Sequence, residues 1–394
     1  MRRFKNLLTV LISTILSLLI FEGGLRLIYP DKMPQKKTRD HSDSLLPKMA
    51  KGIFTSSTFG TSATFDNQGF RESKNNCQTE GTKKILIVGD SNIAALFLND
   101  GEDLASQLSN ILNEKECYSV KSFGVPGYGP DQSYFAMEHF TRLDNYRYVI
   151  FHIFADNDAG DLIRNNYTIS QDGRLLNSGY CYKKKHWIDH IFTARVFRRA
   201  IYSASGYYID WNPTRNSLDK DNLCTTVPTH SDSNIGRRLF KRAALDKAIF
   251  RENKSQIYMG DRFDIEFACK TDQELINTVE KKLQAIAKNI NNIAQERNFE
   301  PIVLIQPSEF DVTDNHLDIS TFMQRNCENY DRKNLTNLFS QTFEGKMKVI
   351  NLFDKFDGCK DCYFSNEEAP GDSHWNAVGV KLAAEELSQV ILEK

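Results

Sequence analysis

The residues able to do chemistry in this chain lie in four short loops. Gly89-Asp90-Ser91-Asn92 follows an apolar run, and Gly127 lies within Gly124-Val125-Pro126-Gly127-Tyr128-Gly129. Asp156-Asn157-Asp158 follows another apolar run, and Gly371-Asp372-Ser373-His374 precedes the last helical stretch. A serine hydroxyl becomes a nucleophile only when a base takes its proton. His374 is a suitable base for Ser91, and Asp372, two residues before it, could hold the imidazole Nδ1–H and fix the tautomer. The oxyanion formed on an attacked ester needs preorganised donors. The backbone N–H groups of Ser91 and Gly127 and the side-chain amide of Asn157 are donors of that kind, and a glycine at 127 lets substrate approach the backbone closely. Together they suit acyl transfer from an ester.

These loops must be brought together by strands and helices, and the pattern predicts both. Lys84–Val88, Tyr118–Phe123, Tyr148–Phe154, Pro301–Ile305 and Lys348–Leu352 read as strands, several of them continuous apolar runs of the kind found in parallel sheets buried on both faces. Helices are expected around Leu104–Leu112, over Ser133–Phe140 and over Asn376–Leu392. A long helix follows Thr271, where Thr271 and Glu274 fit a capping box and Ile276, Val279, Leu283, Ile286, Ile290 and Ile293 continue one stripe. Strands alternating with helices indicate an α/β doubly wound parallel sheet of about five strands flanked by helices. In such a sheet the carboxyl ends of the strands share one edge, where ligands bind near the switch point. Ser91, Gly127, Asn157 and His374 are therefore expected to converge.

The ordered set resembles the blocks of the SGNH (GDSL-type) hydrolase family: Gly89-Asp90-Ser91, Gly127, Asn157-Asp158 and Asp372-Ser373-His374 in turn. Asn67-Gln68-Gly69-Phe70-Arg71 and Gly124 to Gln132 also look like membrane-anchored members from bacterial surface-polysaccharide settings. The resemblance covers about residues 65–165 and 300–394. It implies a flavodoxin-like sheet and an esterase or acyltransferase with Ser91 as nucleophile, His374 as base and Asp372 as its support. Two departures bear on substrate shape, Asn92 and Trp375. A third, Asp156 before Asn157, puts a carboxylate where a glycine is common, and it must point away from the oxyanion.

Each residue also has a plainer reading. Asp90 fits a turn or helix cap, and Asn157 alone fits an Asx-turn. His152, within the third strand, reads as a packed histidine. Trp375 could stack on a sugar or anchor the last helix. A second Gly-Asp-Ser, Gly371-Asp372-Ser373, follows a polar loop, whereas the first ends an apolar strand.

Composition sets the compartment and excludes other classes. The 394 residues carry 50 Lys+Arg against 51 Asp+Glu, which gives no support to nucleic-acid binding, and a mean hydropathy of -0.47 excludes a polytopic membrane protein. Met1-Arg2-Arg3-Phe4-Lys5 precedes an apolar run from Leu7 to Phe21, which reads as an uncleaved signal-anchor over residues 1–30 with the rest of the chain exported. A cleaved signal peptide is the competing reading. Residues 31–82 read as a juxtamembrane stalk and irregular lead-in, and 83–394 as the catalytic domain with an insertion at about 165–270. Within the insertion, Asp172-Gly173 is a hairpin signal, and Trp187 to Ile201 has helical spacing. The eight cysteines are even in number and lie outside the anchor, as suits structural disulfides in an oxidising compartment. Cys77 and Cys117, each just before neighbouring strands, are the expected first pair. Cys359-x-x-Cys362 lacks the second half of a zinc site.

The leading expectation is an extracytoplasmic esterase that removes acyl groups, acetyl first among them, from a carbohydrate or surface glycan. An O-acyltransferase acting on a surface polysaccharide with the same triad, partnered by a membrane acyl-donor protein, is the alternative. A binding or assembly protein on a disabled hydrolase fold is the third. No cofactor, metal or nucleic acid is called for: no G-x-G-x-x-G follows the first strand and no P-loop lysine is present.

Overall fold

A computed structural model describes residues 51–56, 60–71, 73, 75–164, 167–170, 173, 175–177, 267, 273–313, 324–325, 329–364 and 373–393, with residues 13, 17, 23–24, 39–40 and 48–49. Five parallel strands form the central sheet: β1 (Lys83–Gly89), β2 (Tyr118–Gly124), β3 (Tyr148–Ala155), β4 (Glu300–Pro307) and β5 (Lys348–Asn351). Their spatial order is 2-1-3-4-5, a doubly wound order that reverses direction between β1 and β3. Each strand appears where the sequence placed it.

The alternation of side chains along these strands feeds two cores. Leu86, Val88, Val149, Phe151, Val303 and Ile305 face one core, which the helices α3 (Pro130–Leu143), α5 (Gln273–Arg297) and α6 (Asn334–Phe343) cover. Ile85, Ile87, Val120, Ile150, Ile302 and Leu304 face the other, closed by α2 (Leu104–Asn113) and α7 (Ala377–Leu392). Both faces of β1, β3 and β4 are buried, which is why these three strands show apolar runs, whereas the edge strand β2 alternates with Ser119 and Lys121 half-exposed. Burial of each such aliphatic side chain contributes roughly 1.5–3 kcal/mol.

The long helix stands as its stripe predicts, with Ile276, Val279, Leu283, Ile286, Ile290 and Ile293 all buried; Thr271, its expected cap, lies outside the described residues. The helix α6 was not legible in advance. Its Asn, Thr and Ser content is that of a loop, and only Leu335, Phe339 and Phe343 at four-residue spacing mark its buried side. A further helix, α4 (Asp158–Arg164), follows β3 directly.

The lead-in expected to be irregular contains structure. Gly52–Ser56 pairs antiparallel with Thr61–Phe65, and Arg71 bridges from Phe65 to Ser122 on the edge strand β2. Its outward face carries Thr55, Ser62 and Thr64 with an exposed Ile53, and its inward face Phe54, Ala63 and Phe65, so polarity does not alternate cleanly along the chain. The hairpin expected at Asp172-Gly173 is found, with Tyr167–Ile169 against Leu175–Asn177 and Gly173 in a left-handed conformation. The anchor over 1–30 lies outside the described residues apart from Ser13, Ser17, Gly23 and Gly24, each helical. Among the described residues no helix is long and apolar enough to cross a membrane. The helix expected at Trp187–Ile201 and the rest of 178–266 also lie outside them.

Cys77 and Cys117 are disulfide-bonded, as their positions before β1 and β2 suggested, and Cys359 bonds Cys362. The remaining four cysteines lie outside the described residues. The first bridge closes a span of 40 residues that contains β1, α2 and Ser91. Replacing both partners by serine is expected to lower the unfolding free energy by about 2–4 kcal/mol in urea titrations, through the added freedom of the unfolded chain.

Candidate active site

The site begins with the turn after β1. Gly89 and Gly124 lie side by side in register at the ends of β1 and β2. A β-carbon on Gly124 would stand 2.1 Å from the Ala94 nitrogen and 2.7 Å from the Asp90 carbonyl oxygen; one on Gly89 would stand 2.4 Å from Ile93 Cγ1. Only glycines let the following turn fold back over the strand ends. That turn is α1 (Ser91–Ala94), and Asp90 caps it by accepting the Asn92 N–H at 2.9 Å. Asp90 is therefore the capping residue its plainer reading made it.

The far end of α1 carries an unusual stop. Ala95 is left-handed at φ 49°, a conformation that glycine or asparagine usually takes at a helix end. The carbonyls freed there are bound by Arg71, whose guanidinium donates to Ala94 O at 3.1 Å, Ala95 O at 2.6 Å and Leu98 O at 2.7 Å. Asp100 and Asp103 lie 3.5 and 3.9 Å from this buried cation. The Asn67–Arg71 lead-in thus reaches the site indirectly, as a clamp on the helix that carries Ser91.

A chain of buried polar groups underlies the same turn. His152 Nε2 meets Gln306 Oε1 at 3.0 Å, Gln306 Nε2 donates to Asn92 Oδ1 at 3.2 Å, and the Trp375 indole donates to the Asn92 carbonyl at 3.3 Å. Gln306 gives its nitrogen to Asn92, so its oxygen accepts from His152 and the proton sits on Nε2 of the neutral ring. Burial pulls the His152 pKa below the usual histidine value, outweighing Asp90 Oδ1 at 3.6 Å from Nδ1 and the bond to Gln306. His152 is the packed histidine the sequence suggested. Trp375 is 1% exposed and lies tilted 5.2 Å from the His152 ring, so it anchors the last helix and its sugar-stacking reading falls away.

His374 arrives from the other side. Its carbonyl accepts the Phe364 N–H at 3.0 Å, Trp375 bridges Tyr363, and the Asn376 N–H donates to Cys362 O at 3.0 Å. The Cys359–Cys362 disulfide staples the turn leading into this short ladder. His374 Nε2 lies 2.8 Å from Ser91 Oγ. The predicted nucleophile and base, distant in sequence, are in hydrogen-bond contact, and both are half-buried and reachable. The Phe97 ring lies tilted 4.4 Å from the His374 ring and the buried Phe154 ring 6.4 Å from it, apolar neighbours that the sequence did not flag.

The expected oxyanion donors lie at the same edge. Val125-Pro126-Gly127-Tyr128 is a turn closed by the Tyr128 N–H on Val125 O at 3.0 Å, with proline second and Gly127 third at φ 75°, the arrangement of a type II turn. Gly127 is exposed. Asn157 follows β3, and its amide nitrogen donates to Asp161 Oδ2 at 3.0 Å. That nitrogen carries a second hydrogen. Asp156 turns its carboxylate to Ser308 and Ser373. Asp372, the proposed support for His374, lies outside the described residues.

No protein-family model and no curated protein sequence matches the chain. Among solved structures, the crystal structure of an acetyl xylan esterase, AlAXEase, aligns over 78% of this chain and 100% of its own at 11% identity, with a TM-score of 0.36. At that score the likeness carries nothing further.

Two outcomes follow. Gly124→Ala, which drives a methyl into the backbone of α1, is expected to cost about 2 kcal/mol or more of stability in urea titrations. His152, neutral in the fold with its pKa lowered, resists protonation that the unfolded chain accepts near pH 6.5. Its stabilising effect is complete above that pH and is lost as pH falls toward the folded-state pKa, with a slope of at most about 1.4 kcal/mol per pH unit. In unfolding measured from pH 7 downward, His152→Gln is expected to flatten this dependence.

Proposed function

We propose that the protein is a serine hydrolase of ester bonds, and that the 2.8 Å contact between Ser91 Oγ and His374 Nε2 is its reacting pair. With the imidazole proton on Nδ1, Nε2 accepts the Ser91 proton as Oγ attacks the acyl carbonyl. The tetrahedral oxyanion is met by the N–H groups of Ser91 and Gly127 and by the second amide hydrogen of Asn157. Collapse expels the alcohol, which takes its proton from His374 and leaves an acyl group on Ser91. Water, deprotonated by the same imidazole, then attacks the acyl carbon, and the acid leaves as Ser91 Oγ takes that proton back from His374. Asp372 is proposed to hold Nδ1–H, on its spacing alone.

The strand order 2-1-3-4-5 is also that of flavodoxin-like sheets. It supports the SGNH-type reading because Ser91, Gly127 and Asn157 follow β1, β2 and β3 in the order expected of that family. The substrate is proposed to be an acylated carbohydrate of the cell surface, acetyl esters first. This rests on the basic and apolar N-terminus, which suits an anchored, exported chain, and on the resemblance of the loops. The half-buried Phe97 ring beside His374 suits the acyl group or the C–H face of a sugar. Transfer to a glycan hydroxyl proceeds through the same acyl-Ser91 and differs only in what resolves it.

Full-length protein is expected to be labelled at Ser91 by a serine-reactive fluorophosphonate and to release acetate from acetylated glycans. Ser91→Ala should abolish labelling, and His374→Ala should slow both reactions by about a thousandfold or more. A folded wild-type protein that is not labelled would sink this reading. Supplying acyl donor and glycan together separates transfer, which leaves acylated acceptor, from hydrolysis, which leaves free acid.

A further inference from the structure

We propose that Asp156 is a positioning residue for His374, acting through Ser373; the proposal rests on the reading of Ser91 and His374 as the reacting pair. Asp156 is 4% exposed and directly follows β3. Its two carboxylate oxygens serve two different segments. Oδ2 accepts the Ser373 hydroxyl at 2.5 Å, and Oδ1 accepts the Ser308 hydroxyl, just past β4, at 3.2 Å. Ser308 is fully buried and Ser373 is 8% exposed. One carboxylate therefore ties together the ends of two central strands and the loop that delivers the histidine.

The chemistry of the tie is specific. A carboxylate accepting from hydroxyls makes short, charge-assisted bonds, stronger than neutral ones. Ser373 is the residue next to His374: its hydroxyl is held on Asp156 while the neighbouring imidazole meets Ser91 Oγ, so the tie fixes the chain immediately before the imidazole. Beyond His374 the chain is fixed by the ladder to Cys362, Tyr363 and Phe364. The tie to Asp156 lies on the N-terminal side, so the imidazole is gripped from both directions. A base held this way needs no reorientation when Ser91 attacks, and looseness of about 1 Å costs on the order of a hundredfold in rate.

The test compares wild-type full-length protein with Ser373→Ala, Ser373→Thr and Asp156→Asn. The readouts are fluorophosphonate labelling, kcat and KM on p-nitrophenyl acetate, thermal melting, and the imidazole NMR signal of His374, assigned by its loss in His374→Ala. Ser373→Ala is expected to lower kcat and the labelling rate by about tenfold to a hundredfold, with KM within about twofold. Its His374 signal should shift or broaden while the melt stays cooperative. Ser373→Thr, which keeps the hydroxyl, should restore most of the rate, and Asp156→Asn should fall between. Wild-type kcat with an unmoved His374 signal in Ser373→Ala would overturn the proposal. If wild-type protein itself fails to label, the hydrolase reading is lost, and the His374 signal still decides whether Ser373 and Asp156 orient that ring.

Discussion

Everything at this site depends on parallel strands ending along one edge. Ser91 and His374 are 283 residues apart in the chain, and no local interaction could bring them within 2.8 Å. The register brings Ser91 to that edge, and a separate ladder brings His374 to it: β1 pairs with β2 from Lys83 and Tyr118 up to Gly89 and Gly124, and β3 with β4 up to Ala155 and Pro307, while His374 is held against Phe364. The strands reach the carboxyl edge together, so the residues that follow each one are delivered side by side. Apolar burial on both faces keeps the sheet from slipping, because a one-residue shift would turn every core side chain to the wrong face.

Bringing a turn of backbone and polar side chains to such an edge has a cost, since each buried polar group must find a partner. Three devices meet it at Ser91. Asp90 accepts the first available N–H of α1, Arg71 binds the carbonyls left by the left-handed Ala95, and Asn92 is held between Gln306 and Trp375. Through Gln306 and His152 the turn is fastened to β3 and β4 as well as to its own strand. An error in any of these contacts moves Ser91, because a close-packed interior offers little room to absorb it.

The histidine is supported differently. It belongs to no strand of the central sheet, and its place follows from a short ladder to residues 362–364, stapled by Cys359–Cys362 and continued into α7 through the Asn376 cap. The carboxylate of Asp156, which the sequence presented only as a departure to be steered away from the oxyanion, meets this loop at Ser373. Ser91 and His374, each anchored separately, meet in hydrogen-bond contact beside Phe97.

Much of this was written in the chain. The apolar runs at Ile85–Val88, Val149–Phe154 and Ile302–Ile305 specify buried parallel strands, because no other common element is apolar on both faces over so short a length. The stripe from Ile276 to Ile293 specifies its helix, the loops after β1, β2 and β3 supply Ser91, Gly127 and Asn157, and the loop before the last helix supplies His374. Three-dimensional packing decided the rest. Helix α6 follows from a groove that accepts Leu335, Phe339 and Phe343, since its own residues are poor helix formers. The lead-in earns its order from what Arg71 touches, and Trp375 is an anchor because space around it is closed. Asp156 could be judged only when Ser308 and Ser373 were seen beside it. Local sequence determines elements through periodicity and propensity, which act over a few residues; partners across the fold are chosen by packing and by the need to satisfy buried polar groups, and those conditions exist only once the chain has closed on itself.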